Sequence, residues 1–148
     1  MIPRVVLVGT GRFGKNHLRN LLLLNKKKVL KLIGAVDVDK KLLLSIEKEY
    51  KIQTSTEYRD FLQLADAFDV VTPAASHYKL VKFFLKNNKH VFVEKPLSFS
   101  AREANELTSL AKRNRRILQV GHIFRYNSAV YVLKKIITNQ GFPFEILL

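Results

Sequence analysis

The sequence predicts an α/β fold in which a parallel sheet carries helices on both faces. Short apolar runs alternate along the chain with segments whose apolar residues recur at helical spacing. Several runs are nearly continuous, which is typical of strands buried on both faces. The chain has 148 residues, of which 47% are apolar, so we expect one domain with a sizeable core and exclude disorder as the main interpretation.

The first half of the chain opens with a strand at residues 4–9, which ends at a glycine. Apolar residues at helical spacing follow in residues 13–22, and a second apolar run covers residues 29–36. Helical spacing returns in residues 42–50. Residues 54–57, Thr-Ser-Thr-Glu, have the spacing of a capping box, so we expect a short helix to begin there.

The second half continues the alternation. Residues 68–72 and 90–93 are apolar runs, and helical spacing in residues 80–85 separates them. Residues 100–111 begin with a second capping box and predict a helix, and residues 117–121 predict the strand after it. Strict alternation of strand and helix implies a parallel, doubly wound sheet.

The end of the chain follows a different pattern. Residues 127–139 predict one more helix, and residues 142–148 predict an apolar strand that needs a partner or a cover. We therefore expect residues 1–125 to form the α/β domain and residues 126–148 to begin a second domain that the chain does not contain. A separately encoded domain, or self-association through the terminal strand, are the partners we expect for it.

Composition limits the setting and the chemistry. The absence of cysteine excludes a disulfide scaffold, a thiolate metal site and a cysteine nucleophile. No apolar run approaches the ~18 residues of a membrane-spanning helix, and the N-terminus lacks a signal-peptide pattern. We expect a cytoplasmic protein without a membrane partner, and we predict no metal site.

The net charge of +14 raises the hypothesis of a nucleic-acid partner. Thirteen of the 26 basic residues lie near the C-terminal ends of predicted helices, where cations complement the helix dipole. They are Lys26, Lys27, Lys28, Lys48, Lys51, Lys86, Lys89, Lys112, Arg113, Arg115, Arg116, Lys134 and Lys135. Those ends lie opposite the ligand crevice of a parallel sheet. Since no nucleic-acid-binding motif is present either, this hypothesis ranks lowest.

A glycine-rich turn joins the first strand to the first helix. The pattern G-x-G-x-x-G comprises Gly9, Thr10, Gly11, Arg12, Phe13 and Gly14. The first glycine permits a tight turn, the second lets the backbone approach a pyrophosphate, and the third lets helix and strand pack closely. The helix N-terminus offers N–H groups to that anion. We interpret the turn as the dinucleotide-binding turn of a Rossmann-type fold; the alternative is a turn that only packs the βα unit.

Asp37 ends the second strand. In dinucleotide-binding folds an acidic residue ~20 residues beyond the turn bonds the adenosine ribose, and Asp37 lies close to that position. A carboxylate there repels a 2′-phosphate, so NAD is the favoured cofactor. Lys40 and Lys41 keep NADP open as an alternative, because they are near enough in sequence to reach a phosphate.

Three further clusters carry a family resemblance. They are Val-Val-Thr-Pro-Ala-Ala-Ser-His at residues 70–77, Asn-Lys-His-Val-Phe-Val-Glu-Lys-Pro at residues 88–96, and Val-Gly-His-Ile-Phe-Arg-Tyr-Asn-Ser-Ala-Val at residues 120–130. In this order after the glycine-rich turn, the chain resembles the Gfo/Idh/MocA family of dehydrogenases. The resemblance implies hydride transfer between a nicotinamide cofactor and a hydroxyl or keto carbon of a sugar, cyclitol or nucleotide sugar.

The resemblance assigns the chemistry to the Glu-Lys-Pro segment. Lys95 matches the family's catalytic lysine, a general acid/base or carbonyl polariser beside the hydride path. Glu94 matches a residue near the nicotinamide, and an ion pair with Lys95 is an equally open interpretation. We expect the bond between Lys95 and Pro96 to be cis.

The resemblance places four more residues at the cofactor. Thr72 and Pro73 match the turn over its adenine side, His77 matches a residue near the nicotinamide ribose, and Arg125 matches an arginine at the cofactor and substrate side. A capping or packing role is the alternative for His77.

Two hypotheses for the function follow. In the first, the chain is the NAD(P)-binding domain of such a dehydrogenase. In the second, it is a binding module that holds NAD without chemistry. The family uses a second domain to hold the substrate, so whether this chain is active by itself stays open.

Overall fold

The computed structural model describes residues 1–139. Six strands and five α-helices occur in these residues. In chain order they are β1 (Arg4–Val8), α1 (Gly14–Lys26), β2 (Lys31–Val36), α2 (Lys40–Tyr50), β3 (Gln53–Ser55), β4 (Ala67–Val70), α3 (His77–Lys86), β5 (His90–Val93), α4 (Ala101–Arg113), β6 (Leu118–Val120) and α5 (Ser128–Asn139). Short 3-10 helices lie at Tyr58–Phe61, Ala74–Ser76 and Ile123–Tyr126.

The six strands form one parallel sheet in the order β3-β2-β1-β4-β5-β6, which confirms the predicted fold class. Val8 pairs with both Val36 and Val70, and Val70 pairs with Val93, so the carboxyl ends of four strands are aligned. Strand order reverses between β1 and β4. In open α/β sheets, ligands bind in the crevice at such a switch point.

Two apolar clusters hold the helices to the two faces of the sheet. On the face covered by α3 and α4, Phe68 stacks on Phe84 with ring centroids 3.9 Å apart, and Leu107 is fully buried. On the face covered by α1 and α2, Leu7 and Leu18 belong to a separate buried cluster. The crevice at the carboxyl edge therefore lies between two well-packed layers.

Two local predictions were wrong. Residues 54–57 do not form a capping box, because Thr54 and Ser55 belong to β3 and the Ser55 hydroxyl accepts the Glu57 N–H at 2.9 Å. A strand of Gln, Thr and Ser at the sheet edge has no apolar pattern, which is why the spacing suggested a helix start instead. Helix α4 does begin at Ala101, but the side chain of Ser100 makes no capping hydrogen bond.

Helices α1 to α4 end alike. Each has a basic residue in its last turn, as predicted: Lys26, Lys48, Lys86 and Lys112. A residue with positive φ, between 52 and 59°, then turns the chain toward the next strand, and these residues are Lys28, Lys51, Asn88 and Arg115. Glycine is favoured at such positions, so the three basic residues, Lys28, Lys51 and Arg115, have a strained backbone conformation.

The last helix differs from its prediction in one respect. Helix α5 continues to Asn139, so Lys134 and Lys135 do not lie in its last turn. The strand predicted at residues 142–148 lies outside the described residues. Within the described part, no helix is both long and apolar enough to cross a bilayer.

Candidate functional site

The glycine-rich turn is shaped by the backbone that surrounds it. Gly9 has φ of +97°, and a Cβ there would lie 2.7 Å from the Val71 backbone. A Cβ on Gly14 would collide with the carbonyl oxygen of Gly9. A Cβ on Gly11 would instead meet no atom within 4 Å. Packing therefore requires the first and third glycines, and the second leaves open space at the N-terminus of α1.

Asp37 lies beside this turn at the end of β2. Its Oδ2 accepts the Thr10 N–H at 2.6 Å and the Thr10 hydroxyl at 2.8 Å, and its Oδ1 accepts the Asp39 N–H at 3.0 Å. Partial burial opposes ionisation, but these hydrogen bonds outweigh it and lower the pKa of Asp37. The Val38 N–H is a further donor to this carboxylate and contributes to the lowering.

The larger cleft, of about 890 Å³, lies at the carboxyl ends of β1, β2 and β4. It brings together seven of the residues that the sequence predicts at the cofactor: Gly9, Gly11, Arg12, Phe13, Asp37, Thr72 and Pro73. Apolar side chains, among them Val38 and Leu80, form much of the remaining wall of the cleft. Its size is that of a typical cofactor or ligand pocket.

A smaller cleft, of about 210 Å³, adjoins the first. Phe13 and Thr72 line both clefts, and His77, Glu94 and Lys95 line the smaller one. The Lys95 side chain is exposed, whereas Glu94 is buried. The predicted catalytic lysine and the glycine-rich turn thus border one continuous crevice.

His77 is buried between two loops of this crevice. Its Nδ1 lies 2.7 Å from the carbonyl oxygen of Pro96, and its Nε2 lies 2.8 Å from the carbonyl oxygen of Thr72. The bond between Lys95 and Pro96 is cis, as expected. His77 therefore joins the loop after β4 to the loop that carries Lys95, and its role at the cofactor stays a prediction.

The Glu94 carboxylate contacts the Lys95 backbone and the His17 side chain. Its Oε2 accepts the backbone N–H of Lys95 at 3.1 Å, and its Oε1 lies 3.2 Å from Nε2 of His17. A Cβ at Gly121 would lie 2.9 Å from Oε1, so the glycine makes room for the carboxylate. Glu94 thus forms its ion pair with His17.

His17 was not predicted from the sequence. This histidine lies in α1, and its Nδ1 also contacts the Asp69 carboxylate at 2.9 Å. Burial lowers the pKa of His17, but the hydrogen bond and charge of Asp69, with those of Glu94, outweigh burial and raise it. Burial raises the pKa of Asp69. The available signal was the acidic residue inside the apolar strand Phe68-Asp69-Val70, which needs a buried partner.

One residue predicted at the cofactor, Arg125, lies elsewhere. Arg125 is exposed in the 3-10 helix at Ile123–Tyr126 and lines neither cleft. Over residues 1–139, no cluster of three or more His, Cys, Asp or Glu side chains suits a metal ion.

One face of the sheet is open beside α1. A groove of about 750 Å³ runs along β4, β5 and β6, and it is lined mostly by apolar side chains such as Leu24, Phe92 and Ile117. His17 and Glu94 also line it. We call this groove the open face.

Comparison with known proteins gives a consistent result. A family model described as "Oxidoreductase family, NAD-binding Rossmann fold" matches residues 3–122. The uncharacterized oxidoreductase YrbE of Bacillus subtilis is 32% identical over 136 residues, which cover 90% of this chain and 39% of YrbE.

Solved structures agree. The myo-inositol 2-dehydrogenase from Lactobacillus plantarum has a TM-score of 0.81 and 29% identity, with 97% of this chain and 43% of that one covered. The scyllo-inositol dehydrogenase from Lactobacillus casei, with bound NAD(H) and scyllo-inositol, has a TM-score of 0.81 and 26% identity, covering 95% of this chain and 42% of that one. The chain therefore spans about two fifths of the length of these relatives.

Proposed function

Since the chain belongs to the Gfo/Idh/MocA family of oxidoreductases and forms its NAD-binding domain, we propose that it serves a dehydrogenase acting on a sugar, cyclitol or nucleotide sugar. The observation that carries the proposal is the continuous crevice in which the glycine-rich turn, Asp37 and Lys95 meet. The relatives that act on inositols support this substrate class.

We assign the larger cleft to the adenosine and pyrophosphate of the cofactor. The open space at Gly11 admits the pyrophosphate to the N–H groups at the start of α1. The Asp37 carboxylate lines this cleft and accepts a ribose hydroxyl, and Thr72 and Pro73 lie along the same cleft. Because the Asp37 carboxylate is ionised and would face a 2′-phosphate, we propose NAD rather than NADP.

We assign the chemistry to the smaller cleft. When bound, NAD supplies the acceptor for a hydride. In oxidation, Nζ of Lys95 takes the proton from the substrate hydroxyl while the carbon loses the hydride; in reduction, Nζ returns the proton to the keto oxygen. His77 and Glu94 hold the two ends of the loop that presents Lys95. Arg125 belongs to this proposal as a substrate-side residue only if further polypeptide repositions it.

Calorimetric titration with NAD and NADP tests the cofactor assignment. Asp37→Ala should weaken NAD binding about tenfold or more, because a hydrogen bond from the ribose to a charged acceptor is lost. It should weaken NADP binding little. Asp39→Ser is the matched control, since it also removes one negative charge but retains a side chain that caps α2. Equal NAD affinity in the parent and Asp37→Ala would remove the assignment.

We also propose that further polypeptide, on this chain or on a separate one, covers the open face and completes the substrate site. The relatives are more than twice as long as the matched part, and the open face exposes apolar side chains including Val29 and Ile117. The domain boundary near residue 125, self-association through residues 142–148, a cytoplasmic location and the lack of nucleic-acid binding stay predictions.

A further inference from the structure

His17 is the only described residue that bridges two buried carboxylates behind the Lys95 loop. Its ring lies between those of Phe13 and Phe92, with centroid distances of 5.6 and 5.8 Å. The charged groups that face it are Asp69 from β4 and Glu94 from the end of β5. Ionised carboxylates only accept hydrogen bonds, so a ring with N–H on both nitrogens satisfies both contacts.

The Glu94 carboxylate links His17 to the backbone of Lys95. One oxygen accepts the Lys95 backbone N–H, and the other lies between His17 and the backbone at Gly121. Of these three neighbours, only His17 changes its charge near neutral pH. If His17 loses its proton, Asp69 and Glu94 face each other as two like charges with no cation between them.

We propose that His17 is a positioning residue for the nicotinamide end of the cofactor: its imidazolium holds the Glu94 carboxylate, and through it the Lys95 loop, in the geometry that binds. The inference rests on the proposed function, because it takes the smaller cleft as the nicotinamide site. It adds that binding at this end depends on the protonation of His17, a residue that lines the open face.

The pH dependence follows from the cluster. The carboxylates raise the pKa of His17 above its ordinary value of 6.5, so the ring keeps its proton to a higher pH than an ordinary histidine does. Affinity for the nicotinamide end should therefore fall as the pH rises through the raised pKa. The adenosine end is held by Asp37 and the glycine-rich turn, and should not change over this range.

Two probes separate these ends: NADH, and ADP-ribose, which lacks the nicotinamide. Both are titrated into the full chain by calorimetry between about pH 6 and pH 9. In the parent, the affinity for NADH relative to ADP-ribose should fall with rising pH. In His17→Gln that ratio should be lower by about tenfold at pH 6 and independent of pH. His90→Gln is the control, because His90 lies at the opposite end of β5.

The outcomes are distinct. A parent that binds neither probe defeats the proposed function. A parent that binds both with a ratio constant over pH defeats the inference alone, even if His17→Gln does not fold. Equal weakening of NADH and ADP-ribose in His17→Gln likewise defeats it, since that result is a general loss of structure.

A double-mutant cycle locates the coupling. Glu94→Gln retains an acceptor for the Lys95 N–H but removes the charge that His17 pairs with. If His17 acts through Glu94, the double variant with His17→Gln and Glu94→Gln should bind NADH with the same affinity as whichever single variant binds NADH less tightly. Additive losses would show that His17 acts by another route and would overturn the proposal.

Discussion

At the residue scale, hydrogen bonds from the protein itself fix the polar side chains of the crevice. Asp37 is fixed by Thr10 and Asp39, and His77 is fixed by two backbone carbonyls. Such contacts lock the rotamers of groups that face the ligand, which reduces the entropy lost on binding. The site is therefore ordered by the fold.

The charge of His17 also contributes to stability, with a defined sign. A histidine whose pKa is raised by folding stabilises the native state fully below its unfolded pKa, and this contribution is lost as the pH rises through the folded pKa. We expect the parent to lose stability relative to His17→Gln from about pH 6.5 upward. Urea unfolding at several pH values measures the difference.

His90→Gln serves as the control, because the stability contribution of His90 should depend on pH with the opposite sign. Burial, with the charge of Arg116, lowers the pKa of His90, so its contribution is lost as the pH falls below 6.5. Parallel stability profiles for the parent and His17→Gln above pH 6.5 would show that His17 carries no linked proton.

The residues of the glycine-rich turn and Asp37 could be predicted from the sequence because they lie in one βαβ unit at a known spacing. The partners of His17 could not, since Asp69 and Glu94 come from two other strands. Their meeting depends on the register of β4 against β5, which pairs Asp69 with Phe92. Local spacing contains no information on that register.

At the scale of elements, the buried strands were predictable and the edge strand was not. β1, β2, β4 and β5 have apolar runs because they contribute to the buried core, whereas β3 is Gln-Thr-Ser at an edge. The helices followed from their apolar spacing, and their ends followed from basic residues in the last turn. The helix start after Ser100 was predicted correctly, although neither proposed capping box forms its side-chain bonds.

The left-handed residue after α2 gives a prediction at this scale. Lys51 has φ of 55°, and its N–H bonds the carbonyl oxygen of Glu47. Lys51→Gly should raise Tm by about 2–4 °C, because glycine adopts this conformation without a Cβ clash. Lys51→Ala removes the charge but keeps the Cβ, so it should give no increase. Thermal unfolding followed by circular dichroism compares the two; equal Tm shifts would contradict the argument.

At the scale of the whole molecule, the two sides of the sheet are unequal. Helices α3 and α4 cover one face, while the open face leaves part of β4, β5 and β6 exposed beside α1. The exposed Lys95 side chain has no cover on the substrate side within the described residues. Within residues 1–139, this side chain is therefore open to solvent.

We accordingly expect the chain alone to bind NAD without measurable turnover on a panel of polyols and nucleotide sugars. The formation of NADH, followed by absorbance, is the measurement, and Lys95→Ala is the blank for contaminating activity. Turnover that is absent from Lys95→Ala would contradict this expectation. It would also exclude the hypothesis of a binding module without chemistry.

The packing of Gly9 against the Val71 backbone and of Gly14 against Gly9 has a kinetic consequence. The turn cannot relax into a different shape without moving β4, so its binding geometry exists before any ligand arrives. Encounter with the cofactor then needs no slow opening or closing of this turn, and its association rate is set by diffusion and orientation. Selectivity between ligands at the adenosine end must accordingly lie in how fast they leave.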